Sequence, residues 1–201
     1  MSMSSVRLRE GLAHVGQALR EPEAFVLRWH VDGAPYRWWV FAALGLTAAA
    51  GTTVYGKTMG TPGGAGGMLR SGASCTLAAG IAWALPLPAL YILNSVTGSR
   101  LRPSTTLLAA LVTTSWGGLA LLASVPVNLF FTAALPVPAL VLLVNLVLFG
   151  GVGVAMVDVF CRVIEALEPH RGRAPAWWLA LVGAIGAELF YAFGLFHAIL
   201  A

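Results

Sequence analysis

Apolar residues gather in five long stretches, at about 37–55, 71–94, 104–125, 137–160 and 175–201, joined by short connections. Crossing roughly 30 Å of hydrocarbon takes about 20 mostly apolar residues, so each stretch predicts a transmembrane helix. The polar and apolar alternation of a membrane barrel is missing, and a helix satisfies its own backbone where no water can. The expected fold class is all-α: a polytopic membrane helical bundle of five transmembrane helices, preceded by an amphipathic N-terminal cytoplasmic helix. Two units follow, a cytoplasmic arm over 1–35 and a five-span domain over 36–201.

In the arm, Val6, Leu8, Leu12, Val15 and Leu19 recur at helical spacing, with Arg7, Arg9, Glu10, Gln17 and Arg20 on the remaining surface. Such a helix suits either the anionic interface of a leaflet or a packing site on cytoplasmic loops or a partner. A second short helix is expected from Glu23 to His30, ending in the turn Asp32-Gly33-Ala34-Pro35. The glycine-rich connection from Gly56 to Gly67 predicts a mobile loop on the far side. The connection from Pro126 to Pro136, which includes Phe130 and Phe131, is apolar and is expected at the interface or dipping into the membrane.

Charge then sets the direction. Of the 12 Lys and Arg residues, Arg7, Arg9, Arg20, Arg28, Arg37, Arg100, Arg102, Arg162, Arg171 and Arg173 fall on one side of this threading, and only Lys57 and Arg70 on the other. The positive-inside rule places the N-terminus in the cytoplasm and the C-terminus across the membrane. Trp38, Trp39, Trp177 and Trp178 fall at the same interface. A mean hydropathy of +0.82, with 58% hydrophobic and 10% charged residues, leaves no material for a soluble domain. The basic pI of 9.6 follows from the topology bias, so no nucleic-acid partner is expected. The first span lacks a signal-peptide pattern and is expected to be retained. Cys75 and Cys161 fall at opposite faces and are not expected to pair. Eleven Arg against one Lys suggest a GC-rich genome and a bacterial inner membrane.

Glu188 stands inside the fifth span, where a carboxylate costs about 2.5 to 3.5 kcal/mol on insertion scales and calls for a partner. Counting 1.5 Å per residue puts Asn145 of the antiparallel fourth span at about the same depth. An intramembrane Asn145–Glu188 pair is the resulting expectation, supported by small residues at Gly150, Gly151, Gly153, Gly183, Gly186 and Ala187 that allow close helix approach. Glu188 reads either as a structural carboxyl or as a protonatable site. Pro86 and Pro88 sit in mid-span and should break or kink the second helix near 82–85. Their surroundings, Ala84 to Leu90, recur in similar form at Ala134 to Leu140. Asp158 and Arg162 form an i,i+4 ion pair at the cytoplasmic end of the fourth helix. Hydroxyls at Thr113, Thr114 and Ser115 are expected to bond to their own backbone or to a neighbouring helix.

No phosphate loop, HExxH, GxSxG, CxxC or histidine cluster is present, and His14, His30, His170 and His197 are scattered. No cofactor, metal or catalytic residue is therefore expected. The layout of a cytoplasmic arm, five spans and short connections resembles the Yip1 family of membrane proteins. The Asp-Leu-Tyr-Gly-Pro type stretch of its eukaryotic members is absent from 1–36, so the resemblance transfers no site residues. It implies a non-enzymatic role in membrane organisation, trafficking or partner recruitment, with the bilayer and a protein partner or second copy as the expected partners. The alternative is a small transporter, or a subunit of an ion-translocating complex, with Glu188 as its protonatable group and the Pro86/Pro88 break as a gate.

Overall fold

The computed structural model describes residues 13–32, 36–96, 98–135, 137–171 and 179–195. Residues 1–12 and 33–35 of the arm, Pro136, Arg173, Trp177, Trp178 and His197 lie outside these. All regular structure among the described residues is helical. After helix α1 over 13–20, the chain forms α2 (Pro22–Val31), α3 (Trp38–Met59), α4 (Gly64–Ala84), α5 (Pro86–Val96) and α6 (Pro103–Ala123). It continues through α7 (Val125–Leu129), α8 (Pro138–Leu167) and α9 (Leu179–Ala192).

Four helical segments are long and apolar enough to cross a membrane: Trp38–Met59, Thr61–Val96, Pro103–Ala123 and Pro138–Leu167. The described part of the fifth stretch, α9, is shorter and ends in a turn where Gly194 adopts φ +69°. The core is apolar but takes in polar groups as well, and large apolar side chains lie outside. Thr52, Thr105, Thr113, Ser115, Asn128 and Asn145 are buried, while Leu46, Leu77, Leu143, Val147 and Val154 are exposed. A bundle whose solvent is hydrocarbon sorts its side chains this way, because polar groups must then find partners inside.

Helix α3 is the axis of the bundle, packing on α6 and α4. Glycine permits both contacts. A Cβ on Gly51 would lie 2.1 Å from the Gly118 carbonyl oxygen of α6, and one on Gly56 would lie 2.6 Å from Cys75 Cβ of α4. Ser115 of α6 donates to the carbonyl of Leu44 across this seam at 2.7 Å as well as to its own helix. The tightest approaches are thus α3 to α6 and α3 to α4, rather than the expected seam between the last two spans.

Several sequence expectations are revised. The glycine-rich stretch is no open loop: α3 continues to Met59, a short 3-10 turn covers Thr61–Gly63, and α4 starts at Gly64. Gly60 and Gly67 make this tight reversal possible, since a Cβ on Gly60 would fall 2.3 Å from the Gly67 carbonyl oxygen. The second span is interrupted at Leu85, as its two prolines require, because Pro86 and Pro88 have no N–H to offer the preceding turn. The related proline stretch near 134–140 is used differently, with Pro138 in the first turn of α8, where a missing donor costs nothing. The connection at 125–135 is ordered as α7 followed by a π-helical turn over Phe130–Ala134, and it packs against α3 with Asn128 fully buried.

Helix α8 has 30 residues, about 45 Å, some 15 Å more than a hydrocarbon core requires. Its last turns carry the arm. Phe25, Val26 and Trp29 of α2 are buried in one apolar cluster with Phe160, Val163, Ile164 and Leu167. Val15, Ala18 and Leu19 of α1 join it. His14 meets Phe25, Tyr36 and Trp39 edge-on, and Tyr36 stacks on Phe25 at 4.3 Å. Over its described residues, 13–32, the arm packs on the bundle. Burial pushes the Tyr36 phenol above its ordinary pKa, keeping it a neutral donor to the carbonyl of Phe25.

Candidate functional site

Three polar arrangements and one cavity stand out. At the end of the bundle away from the arm, Tyr55 of α3 donates its hydroxyl to Asn145 Oδ1 at 2.8 Å. Asn145 Nδ2 donates to the Val141 carbonyl at 2.8 Å and to Asn128 Oδ1 at 3.3 Å. Asn128 Nδ2 in turn donates to Thr58 Oγ1 at 2.7 Å, and Thr132 donates to the carbonyl and side chain of Asn128. Tyr55, Asn128 and Asn145 are wholly buried. This chain of amides and hydroxyls fastens α7 and α8 to α3, and Asn145, Asn128 and Thr58 each both give and receive. Its bonds join α3 to two helices distant from it in sequence.

Asn145 and Glu188 are therefore not the expected pair. The face of α8 that carries Asn145 turns toward α3 and α7. Helix α9 packs on α4 through Val182 and Gly186, whose added Cβ would meet Ala82 at 3.6 Å. Glu188 lies on the opposite side of α9, exposed beside Leu181 and Ala184, and no hydrogen bond or ion pair reaches it from the described residues. Sequence depth placed the two residues at one level, but azimuth separates them. Of the partners of Asn145, Asn128 stands out in sequence as a polar residue in apolar surroundings, whereas Tyr55 sits among Thr52, Thr53, Lys57 and Thr58 and gives no such signal.

Removing the Tyr55 hydroxyl tests the network. Tyr55→Phe is expected to lower stability in detergent by about 1 kcal/mol, since hydrogen bonds between membrane helices average about 0.6 and reach about 1.7 kcal/mol. Thermal unfolding of the two proteins side by side reads this directly, and an unchanged midpoint would show that the bond contributes nothing.

At the arm end, Glu168 is buried between two connections. The backbone N–H of Arg100 donates to its Oε1 at 3.0 Å and Arg171 Nη1 to its Oε2 at 2.9 Å. Arg171 also donates to Asn94 Oδ1 at 3.0 Å, tying the end of α5 to the end of α8. Burial alone would raise the Glu168 pKa, yet these donors, Ser99 and the Arg171 charge together hold it below its ordinary value. Closer to the arm, Arg162 Nε donates to Asp158 Oδ2 at 3.0 Å, and its guanidinium also pairs with Glu23 of α2. Arg162 and Asp158 are half exposed and Glu23 is partly so, and the cluster orients the arm more than it stabilises it. Sequence spacing pointed to Asp158 and Arg162 but not to Glu23, which comes from 139 residues away.

Between α3, α4, α6, α8 and α9 lies a partly enclosed apolar cavity of about 870 Å³. The glycines expected to draw α8 and α9 together line it instead. Cβ atoms added at Gly150, Gly153 and Gly183 would meet nothing within 4 Å. The two helices come together toward the end of α9, where Phe149 and Phe190 are 4.7 Å apart. Small side chains without a partner helix of matching shape leave space rather than contact. The break in the second span borders this space through Ala82, Trp83, Ala84 and Leu87, whereas Glu188 is not on its wall.

Neither cysteine forms a disulfide, and both are buried. No group of three or more His, Cys, Asp or Glu side chains fit to hold a metal occurs among the described residues. No protein-family model, curated protein or solved structure matches the chain.

Proposed function

We propose that the chain is a non-catalytic integral membrane protein of five spans that organises the membrane or recruits a partner, as its Yip1-like layout implies. In this reading the N-terminus is cytoplasmic, the compartment is a bacterial inner membrane, and the arm together with the helices presents the partner surface. The observation that carries it is Glu188. A carboxyl group exposed on the outward face of α9, inside a segment of high hydropathy, is unfavourable against lipid and is relieved by a partner helix that offers a hydrogen-bond donor. The ionisable groups at the arm end engage one another across elements, which suits a brace that holds the arm in a fixed orientation. The transport alternative needs Glu188 on the cavity wall, and its side chain lies on the other side of α9.

Co-purification in mild detergent, followed by mass spectrometry, tests the reading. A partner recovered with the wild-type protein is expected to drop roughly tenfold with Glu188→Leu, the equivalent of about 1.4 kcal/mol of binding. The variant should keep its unfolding midpoint, because no described residue bonds to Glu188. Equal recovery would remove α9 as the docking face, and pH-driven flux in proteoliposomes that disappears in Glu188→Gln would favour transport.

A further inference from the structure

The cavity among the helices is unusual in its chemistry as much as its size. Its polar side-chain atoms are those of Thr52, Thr76, Thr114 and Trp83, and no acidic or basic side chain lines it among the described residues. All three hydroxyls are already engaged by the protein, Thr52 on the Ala48 carbonyl at 2.8 Å, Thr76 on Gly72 at 2.9 Å and with the Thr53 hydroxyl at 2.7 Å, and Thr114 on Leu111 at 3.1 Å. An ion or polar solute would give up its hydration there for nothing. Water itself needs about two to four polar partners to be held in a buried site. The occupant must be apolar.

Length suits one apolar candidate. Along α6 the wall runs from Leu107 to Leu121, 14 residues or about 21 Å. A lipid tail reaches about 15 Å, half the hydrocarbon core, and fits lengthwise. The bilayer supplies such tails at this depth, beside the gap between α8 and α9.

We propose that this cavity is a binding site for the acyl tail of a membrane phospholipid, entered between α8 and α9 and closed at one end by Phe149 and Phe190. The assignment rests on the helices being membrane spans and is independent of any partner on the outer face of α9.

Photolabelling tests it. Purified full-length protein in mild detergent is irradiated with a phospholipid carrying a diazirine in its tail, and the crosslinks are mapped by peptide mass spectrometry. Wild-type protein is expected to be labelled along 146–157 and 180–190, saturably and in competition with unlabelled phospholipid. Gly153→Leu combined with Gly183→Leu fills the space without displacing existing packing, since neither added Cβ meets an atom within 4 Å. Wall labelling should then fall roughly tenfold, while exposed Leu143 and Leu46, off the cavity wall, keep theirs. If the double variant loses its unfolding transition, Gly150→Leu alone is read in the same way. Equal wall labelling in wild-type and filled proteins, or labelling that never saturates, overturns the proposal. Partner recovery should be unchanged in the filled variants, which separates failure of this site from failure of the docking face.

Discussion

Gly51→Ala is expected to destabilise the bundle by at least about 3 kcal/mol, the upper end of what overpacking one site costs. The added methyl would stand 2.1 Å from the Gly118 carbonyl oxygen, and ordinary contact begins near 3.4 Å, so α3 and α6 must part by about 1.3 Å (3.4 minus 2.1). The obstacle is backbone and cannot rotate away as a side chain would. Separation also stretches the 2.7 Å bond from Ser115 to the Leu44 carbonyl across the same seam. Gly150→Ala is the matched control. Its methyl meets nothing within 4 Å, and replacing a helical glycine gains up to about 1 kcal/mol at either position. Thermal unfolding of both variants in one detergent isolates the contact, and similar midpoints would show that the α3–α6 seam tolerates expansion.

A second large loss, about 3 kcal/mol at neutral pH, is expected for Glu168→Ala. Removing one partner of a buried ion pair costs about 3 to 5 kcal/mol. The Glu168 side chain is 7% exposed but Arg171 is 24% exposed and keeps its bond to Asn94, which sets the expected loss at the low end. The pH dependence has a definite sign. A carboxyl whose folded pKa is lowered stabilises the fold fully above its unfolded pKa and loses that contribution as pH falls through the folded value. Glu168 is such a group. The wild-type protein should therefore lose stability below the ordinary glutamate range, and Glu168→Gln should lack that part of the loss. Unfolding midpoints at about pH 7 and about pH 3 should converge for the two proteins. A gap of constant size would show that the charge on Glu168 does not stabilise the connection.

Both predictions fall on residues that no sequence pattern singled out. Glu168 reads in sequence as one more charge in a polar connection. Its importance comes from the Arg100 N–H, 68 residues earlier. Gly51 is one of 23 glycines, and nothing local separates it from Gly150. One meets a carbonyl and the other meets space, because only one lies on a face that another helix covers. The Asn145–Glu188 expectation failed for a related reason. Rise per residue gives depth along a span, but the rotation of each helix about its axis depends on what its neighbours offer.

The apolar stretches by themselves determined that the chain is helical and where its long helices lie, because hydrocarbon length and backbone satisfaction depend on the segment alone. The break at Leu85 was likewise local, since proline carries its missing donor with it wherever it stands. Which helices touch was decided only in three dimensions. The seams of α3, the Tyr55–Asn145–Asn128 chain, the seat of the arm on α8 and the unfilled space beside α9 each need two or more distant segments to meet. Their energies reside in contact geometry, which a linear pattern of polar and apolar residues does not encode.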